Sequence, residues 1–216
     1  MSSCNSNEIY HERQVRELCA LHALNNLFQC KDFSKSELDL ICNNLSPDNW
    51  INPHKSMLGI GNYDINVIMK ALQSRGCEAI WFDKRKDPTS LNFRNIIGLI
   101  FNIPSDYKFS FITIPLNRKH WATIREIDGI FYNLDSKLDA PLAIGTEMEL
   151  ITFLKTEIDS KDKEMFIVVS NEVAGKKSWL KDPDSYRNEP DNIEGRGAQI
   201  LQLKDILPVV PGPQTL

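Results

Sequence analysis

Cys19 opens the apolar run Cys19-Ala-Leu-His-Ala-Leu-Asn-Asn-Leu-Phe28, with Gln14 five residues upstream; a hundred residues later His120 begins a strand whose hairpin partner ends in Asp135. A thiol, an imidazole and a carboxylate are the working parts of a cysteine hydrolase. A cysteine attacks as its thiolate, and a free thiol is mostly protonated near neutral pH. At the first turn of a helix the thiolate sits at the positive end of the helix dipole. A neighbouring imidazolium favours it further. Among the five cysteines only Cys19 has this placement. Cys30 falls at a helix end, Cys42 inside a second helix, Cys77 at the entry to a strand and Cys4 near the N-terminus.

The hairpin register selects the histidine. Asp128-Gly129 is a preferred type I′ turn pair between β-branched and aromatic runs. With a two-residue loop, Ile127 opposes Ile130 and Asp135 comes opposite Ala122. His120 is two residues along on the same face, a diagonal neighbour about 7–8 Å away. Asp135 can then fix the imidazole tautomer, leaving the other ring nitrogen for Cys19. A solvated aspartate and an incidental histidine would share this pattern, and it is the addition of Cys19 that favours the catalytic reading. Gln14 is the candidate oxyanion donor beside the backbone N–H of Cys19. On spacing alone an exposed loop amide fits Gln14 better. His11 and His54 fall in loops, and His22 reads as a packed or solvated helix residue.

These residues need elements to hold them. The spacing predicts a helix over Cys19–Phe28, a second after the capping pattern Ser34-Lys-Ser-Glu37, and a third from near Asp64 to a stop at Gly76. Strands are expected at Ala79–Phe82, Phe109–Ile114, His120–Ile127, Ile130–Asp135 and Met165–Val169. Thr146-Glu-Met-Glu149 caps a last helix reaching about Ile158. Helices first and strands later imply an α+β fold, a helical lobe on an antiparallel sheet. A domain over residues 8–174 is expected, followed by a polar, proline-containing extension over 175–216 whose composition suits mobility.

Bulk composition excludes several classes. The 216 residues carry a formal charge of −4 with no basic run, which argues against nucleic acid as a partner. No apolar stretch has the length of a membrane span, and the first residues lack the apolar core of a signal peptide. A reducing, cytoplasmic setting with free thiols is the expectation. Cys19 and His22 have Cys-x-x-His spacing but lack a second pair, so no metal is expected.

The segment Gln14-Val-Arg-Glu-Leu-Cys19-Ala-Leu-His22-Ala-Leu-Asn25-Asn26-Leu27 resembles the signature of Josephin domains, which are papain-like deubiquitinases. Asn117-Arg-Lys-His-Trp-Ala-Thr-Ile-Arg125 and Tyr132-Asn-Leu-Asp-Ser-Lys137 resemble the same family's histidine and third-residue segments. Gly61-Asn-Tyr-Asp64, Ala79-Ile-Trp-Phe-Asp83 and Ser178-Trp-Leu180 look most similar to its short stand-alone members. The resemblance implies a papain-like fold with Cys19 as nucleophile, His120 as general base and acid, Asp135 as the orienting residue and Gln14 in the oxyanion hole. It also implies a helical hairpin from about Phe33 to Met57, ubiquitin or polyubiquitin as partner, no cofactor, and a monomer. Gly59 and Gly61 would line the entry for ubiquitin's Gly-Gly tail, with Trp50 a possible contact; a plain turn and a hairpin-closing aromatic are the alternatives. A ubiquitin-binding protein with vestigial catalysis, or a peptidase for another ubiquitin-like modifier, would carry the same residues.

Overall fold

In the computed structural model, residues 8–15, 18–47, 63–109, 112–158 and 162–182 are described. The helices come first: α1 (Cys19–Phe28), α2 (Lys35–Leu45) and α3 (Ile65–Ser74). Then follow β1 (Cys77–Trp81), two 3₁₀ turns at Pro88–Ser90 and Phe93–Asn95, β2 (Gly98–Phe109), β3 (Ile112–Ile127), β4 (Ile130–Asn133) and β5 (Leu142–Gly145). The chain continues through α4 (Glu147–Ile158), β6 (Glu164–Ser170) and α5 (Asn171–Lys176). The strands form one antiparallel sheet in the order β1-β6-β2-β3-β4-β5. This is the α+β architecture expected.

Alternation along the central strands divides the core in two. Ile100, Trp121, Phe166 and Val168 pack with α1, α2 and α3. Leu99, Phe101, Ala122, Ile124, Met165, Ile167 and Val169 point the other way, toward α4 and the 3₁₀ turns. Covering both faces explains why β6 is apolar throughout its middle. Helix α1 lies deepest, with every residue from Cys19 to Leu27 buried. The apolar stripe read from its sequence is therefore part of a helix enclosed on nearly all sides, and its polar residues must find partners inside.

Local chemistry sets the ends of the elements. The Ser34 hydroxyl accepts from the Glu37 backbone N–H at 3.3 Å, and the Asp64 carboxylate caps α3 by accepting from Asn66 and Val67. Thr146 donates its backbone N–H to Glu149 at 2.7 Å ahead of α4. Asp128 and Gly129 both have positive φ, as a type I′ turn requires, and Ile127 faces Ile130.

The sheet departs from expectation in three places. The strand expected at Phe109–Ile114 straddles the end of β2 and the start of β3. Its apolar alternation is genuine strand character, but no Gly or Pro-Asp signal marks the reversal there. β2 itself starts at Gly98, where a Cβ would lie 2.6 Å from Leu27 Cδ1 and 2.8 Å from the Ile124 carbonyl oxygen. Glycine lets β2 pass directly beneath α1. β5 is short and follows Pro141, too brief for periodicity to reveal it.

The packed body continues beyond residue 174. α5 begins at Asn171, Asn92 donates its backbone N–H to the Trp179 carbonyl at 2.9 Å, Leu180 bridges Leu91, and the compact unit reaches Lys181. Trp179 and Leu180 supply the apolar contacts that tie this stretch down. The return arm of the hairpin expected to Met57, and the extension beyond residue 182, lie outside the described residues. No helix among the described residues is long and apolar enough to cross a membrane.

Candidate active site

Cys19 is the first residue of α1 and is 4% exposed. The residue before it, Leu18, offers no side-chain cap, and the first turn holds no acidic residue. α2, α3 and α5 are each capped by a serine or aspartate side chain. The N-terminus of α1 therefore keeps its positive end for whatever anion forms at Cys19.

His120, on β3, is also 4% exposed. One of its ring nitrogens, Nε2, stands 2.6 Å from Asp135 Oδ1. The Cys19 thiol lies beside the His120 ring, close enough to act on its protonation. Because Nε2 is engaged by the carboxylate, Nδ1 is the nitrogen left for the sulfur. Burial alone would lower the His120 pKa, but the hydrogen bond to Asp135 and the adjoining Cys19, with their charges, raise it above the ordinary histidine value. Burial likewise pushes the Asp135 carboxyl up; the bond to His120 and the Lys137 backbone N–H more than offset it and hold Asp135 below its usual range. The Lys137 N–H reaches the same Oδ1 at 2.9 Å. An ionised Asp135 accepts only, so Nε2 carries the proton. Elsewhere, burial raises the Cys77 thiol and nothing opposes it.

Asp135 arrives by the hairpin register. Asn133 faces Ile124, and Leu134 donates its backbone N–H to Thr123 at 2.8 Å, one step further along the same register. Then the Asn133 side chain accepts the Asp135 N–H at 3.0 Å and turns the chain out of the sheet. Trp121 alternates to the other side of β3, packs against Phe166 and donates to the Tyr63 carbonyl at 2.8 Å. It belongs to the core, as its register implied.

The loop that carries Asp135 is clamped through three successive carbonyls. Asn26 donates to Leu134 at 2.8 Å, His11 Nε2 to Asp135 at 3.0 Å and the Gln14 backbone N–H to Ser136 at 2.6 Å. Residues 10–15 thus form a strap against the site. Glu12 fastens the strap: its backbone N–H donates to Asn26 Oδ1 at 2.6 Å, and its carboxylate accepts from Asn25 at 3.0 Å and from Tyr10. His22, one turn below Cys19, bonds that carboxylate through Nδ1 at 2.6 Å and receives the Val15 backbone N–H on Nε2 at 3.3 Å.

Cys19, His120 and Asp135 are thus brought together, and Gln14 is held beside the Asp135 loop. Gly59, Gly61 and Trp50 lie outside the described residues. Sequence reasoning passed over Glu12, His11, His22 and Asn26. Three polar residues, His22, Asn25 and Asn26, inside an otherwise apolar helix were the available signal, since buried polar groups require partners. Replacing Asn26 by alanine leaves the Glu12 N–H and Leu134 carbonyl without it. We expect a loss of roughly 2–4 kcal/mol, read as a lower urea midpoint at unchanged m-value.

A thiol at an uncapped helix N-terminus, beside an imidazole held by a buried carboxylate, is the arrangement of a cysteine hydrolase, and leading helices packed on one antiparallel sheet are the architecture of a papain-like fold of the deubiquitinase type. The chain belongs to the Josephin family, whose signature matches residues 14–169. It is 54% identical over 166 residues to a Josephin-like protein of Drosophila melanogaster, covering 76% of this chain and 75% of that one. Human Josephin-2 is 48% identical over 173 residues, covering 80% of this chain and 92% of the relative. Human ataxin-3 is 30% identical over 183 residues, covering 74% of this chain and 45% of the relative.

Proposed function

We propose that this protein is a thiol-dependent deubiquitinase. Cys19 attacks the carbonyl of ubiquitin's C-terminal glycine while His120 takes the thiol proton. The imidazolium then gives that proton to the leaving lysine amine. Water, deprotonated by the same histidine, attacks the acyl-enzyme thioester and frees the carboxylate and the Cys19 thiol. Asp135 keeps the imidazole in the tautomer whose Nδ1 faces Cys19. The Gln14 side-chain amide and the Cys19 backbone N–H bind the oxyanion of each tetrahedral intermediate. No cofactor takes part.

The observation that carries this reading is His120, bonded to Asp135 at 2.6 Å and flanked by a cysteine at the head of α1, in a chain of the Josephin family. Isopeptide and peptide bonds after ubiquitin are the proposed substrates, on polyubiquitin or ubiquitinated proteins. The proposed setting is the cytoplasm, where Cys19 stays reduced, and the proposed working form is a monomer.

The test is covalent labelling with ubiquitin carrying a C-terminal thiol-reactive group. Wild type should form one adduct and Cys19→Ala none. Folded wild type that binds ubiquitin without forming an adduct would turn the reading to a latent or vestigial enzyme. Labelling by a probe built on another ubiquitin-like modifier, with none by ubiquitin, would replace the substrate.

A further inference from the structure

We propose that His22, held by Glu12, is a positioning residue that aims Gln14 at the oxyanion. The proposal rests on the hydrolase reading above, and it concerns residues outside the Cys19–His120–Asp135 set.

Both nitrogens of the buried His22 ring are committed. The Glu12 carboxylate accepts from Tyr10, Asn25 and the His22 ring, the acceptor-only pattern of an ionised group. His22 Nδ1, 2.6 Å from Glu12 Oε2, must therefore carry a proton. The Val15 backbone can only donate, so Nε2 must be bare to receive it. Together the two bonds select the Nδ1–H form of the ring.

The consequence falls on Gln14. Its own N–H is bonded to the Ser136 carbonyl at 2.6 Å, and the next N–H, that of Val15, is bonded to His22. These amides belong to the two peptide planes on either side of the Gln14 Cα. Fixing both planes fixes φ and ψ between them, and with them the direction of the Cα–Cβ bond. Ser136 is one residue from Asp135, and His22 is one helical turn from Cys19, on the first helix. Gln14 is thereby indexed at once to the carboxylate loop and to the nucleophile's helix. An oxyanion donor works only when aimed where charge develops.

Two substitutions separate the roles of the ring. In His22→Gln the side-chain oxygen reaches the level of Nε2 and can still accept from Val15. In His22→Asn the shorter amide reaches the level of Nδ1, keeping Glu12 and releasing Val15. With a ubiquitin C-terminal amide as substrate, Asn should lower kcat on the order of 10- to 100-fold with KM little changed, the scale of a small misplacement of a catalytic group. His22→Gln should recover most of the loss. In a Gln14→Ala background the Asn substitution should have little further effect, because the group it misdirects is gone. Equal losses for Asn and Gln, or an undiminished loss in the Gln14→Ala background, would overturn the proposal.

Nuclear magnetic resonance supplies a readout independent of turnover. The ¹⁵N shifts of the His22 ring should show the Nδ1–H tautomer, and Val15 amide exchange should accelerate in His22→Asn but not in His22→Gln. A protonated Nε2, or Val15 exchange indifferent to the substitution, would also overturn it. Should wild type fail to process ubiquitin while these signatures hold, the substrate reading fails and the positioning role stands.

Discussion

Replacing His120 by alanine is expected to lower kcat on a ubiquitin C-terminal amide by on the order of 10⁴-fold, the upper range for a general acid–base group. One imidazole serves every proton transfer in the proposed cycle, so its removal strikes acylation and deacylation together. The Asp135 carboxylate keeps its bond from the Lys137 N–H in the variant, which limits the damage to the fold. Thermal unfolding of His120→Ala and of the less disruptive His120→Gln would show whether lost turnover reflects lost structure. The loss should also fail to multiply with that of Cys19→Ala, since the two groups act as a unit. Turnover within about tenfold of wild type would remove His120 from its proposed role.

The site was legible in the sequence wherever the controlling interaction was local. Helix α1 starts at Cys19 because an apolar helical run begins there. The Asp135 register follows from Asp128-Gly129, a two-residue turn that admits one alignment of its strands. Ser34, Asp64 and Thr146 mark helix starts through bonds spanning a few residues. What escaped depends on distant partners. Nothing near His11 indicates that it will meet the carbonyl of Asp135, and nothing near Glu12 that it will meet His22. Gly98 resembles any glycine between an irregular stretch and a strand until Leu27 is placed above it. Trp179 and Leu180 read as part of a polar extension because each gains its contacts only once the sheet has formed. The chemistry was thus readable as residue types and one register, while the strap that holds it was not.

Asp135 can be divided experimentally into an orienting part and a charge. In Asp135→Asn the amide oxygen still accepts from Nε2–H, so the imidazole keeps its tautomer and direction but loses the neighbouring negative charge. In Asp135→Ala both are lost. Asparagine should therefore retain much of the turnover near neutral pH, whereas alanine should lose about 10²- to 10⁴-fold, as expected when an imidazole loses its orienting partner. The pH dependence carries the sharper test. Burial lowers the His120 pKa, and the bond and charge of Asp135, with Cys19 beside the ring, lift it above the ordinary value. The imidazolium of wild type accordingly persists to higher pH than a free histidine, and the acidic limb of the kcat/KM profile, below which His120 cannot take the thiol proton, should lie above about 6.5. Removing the Asp135 charge leaves the burial penalty less opposed, so His120 releases its proton earlier and that limb moves to lower pH in both variants. The shift should appear in Asp135→Asn even where its peak rate approaches wild type, because orientation is kept while charge is gone. An acidic limb that stays in place in both variants would mean that Asp135 aligns the ring without tuning it. A limb that moves while alanine retains wild-type peak turnover would mean the reverse.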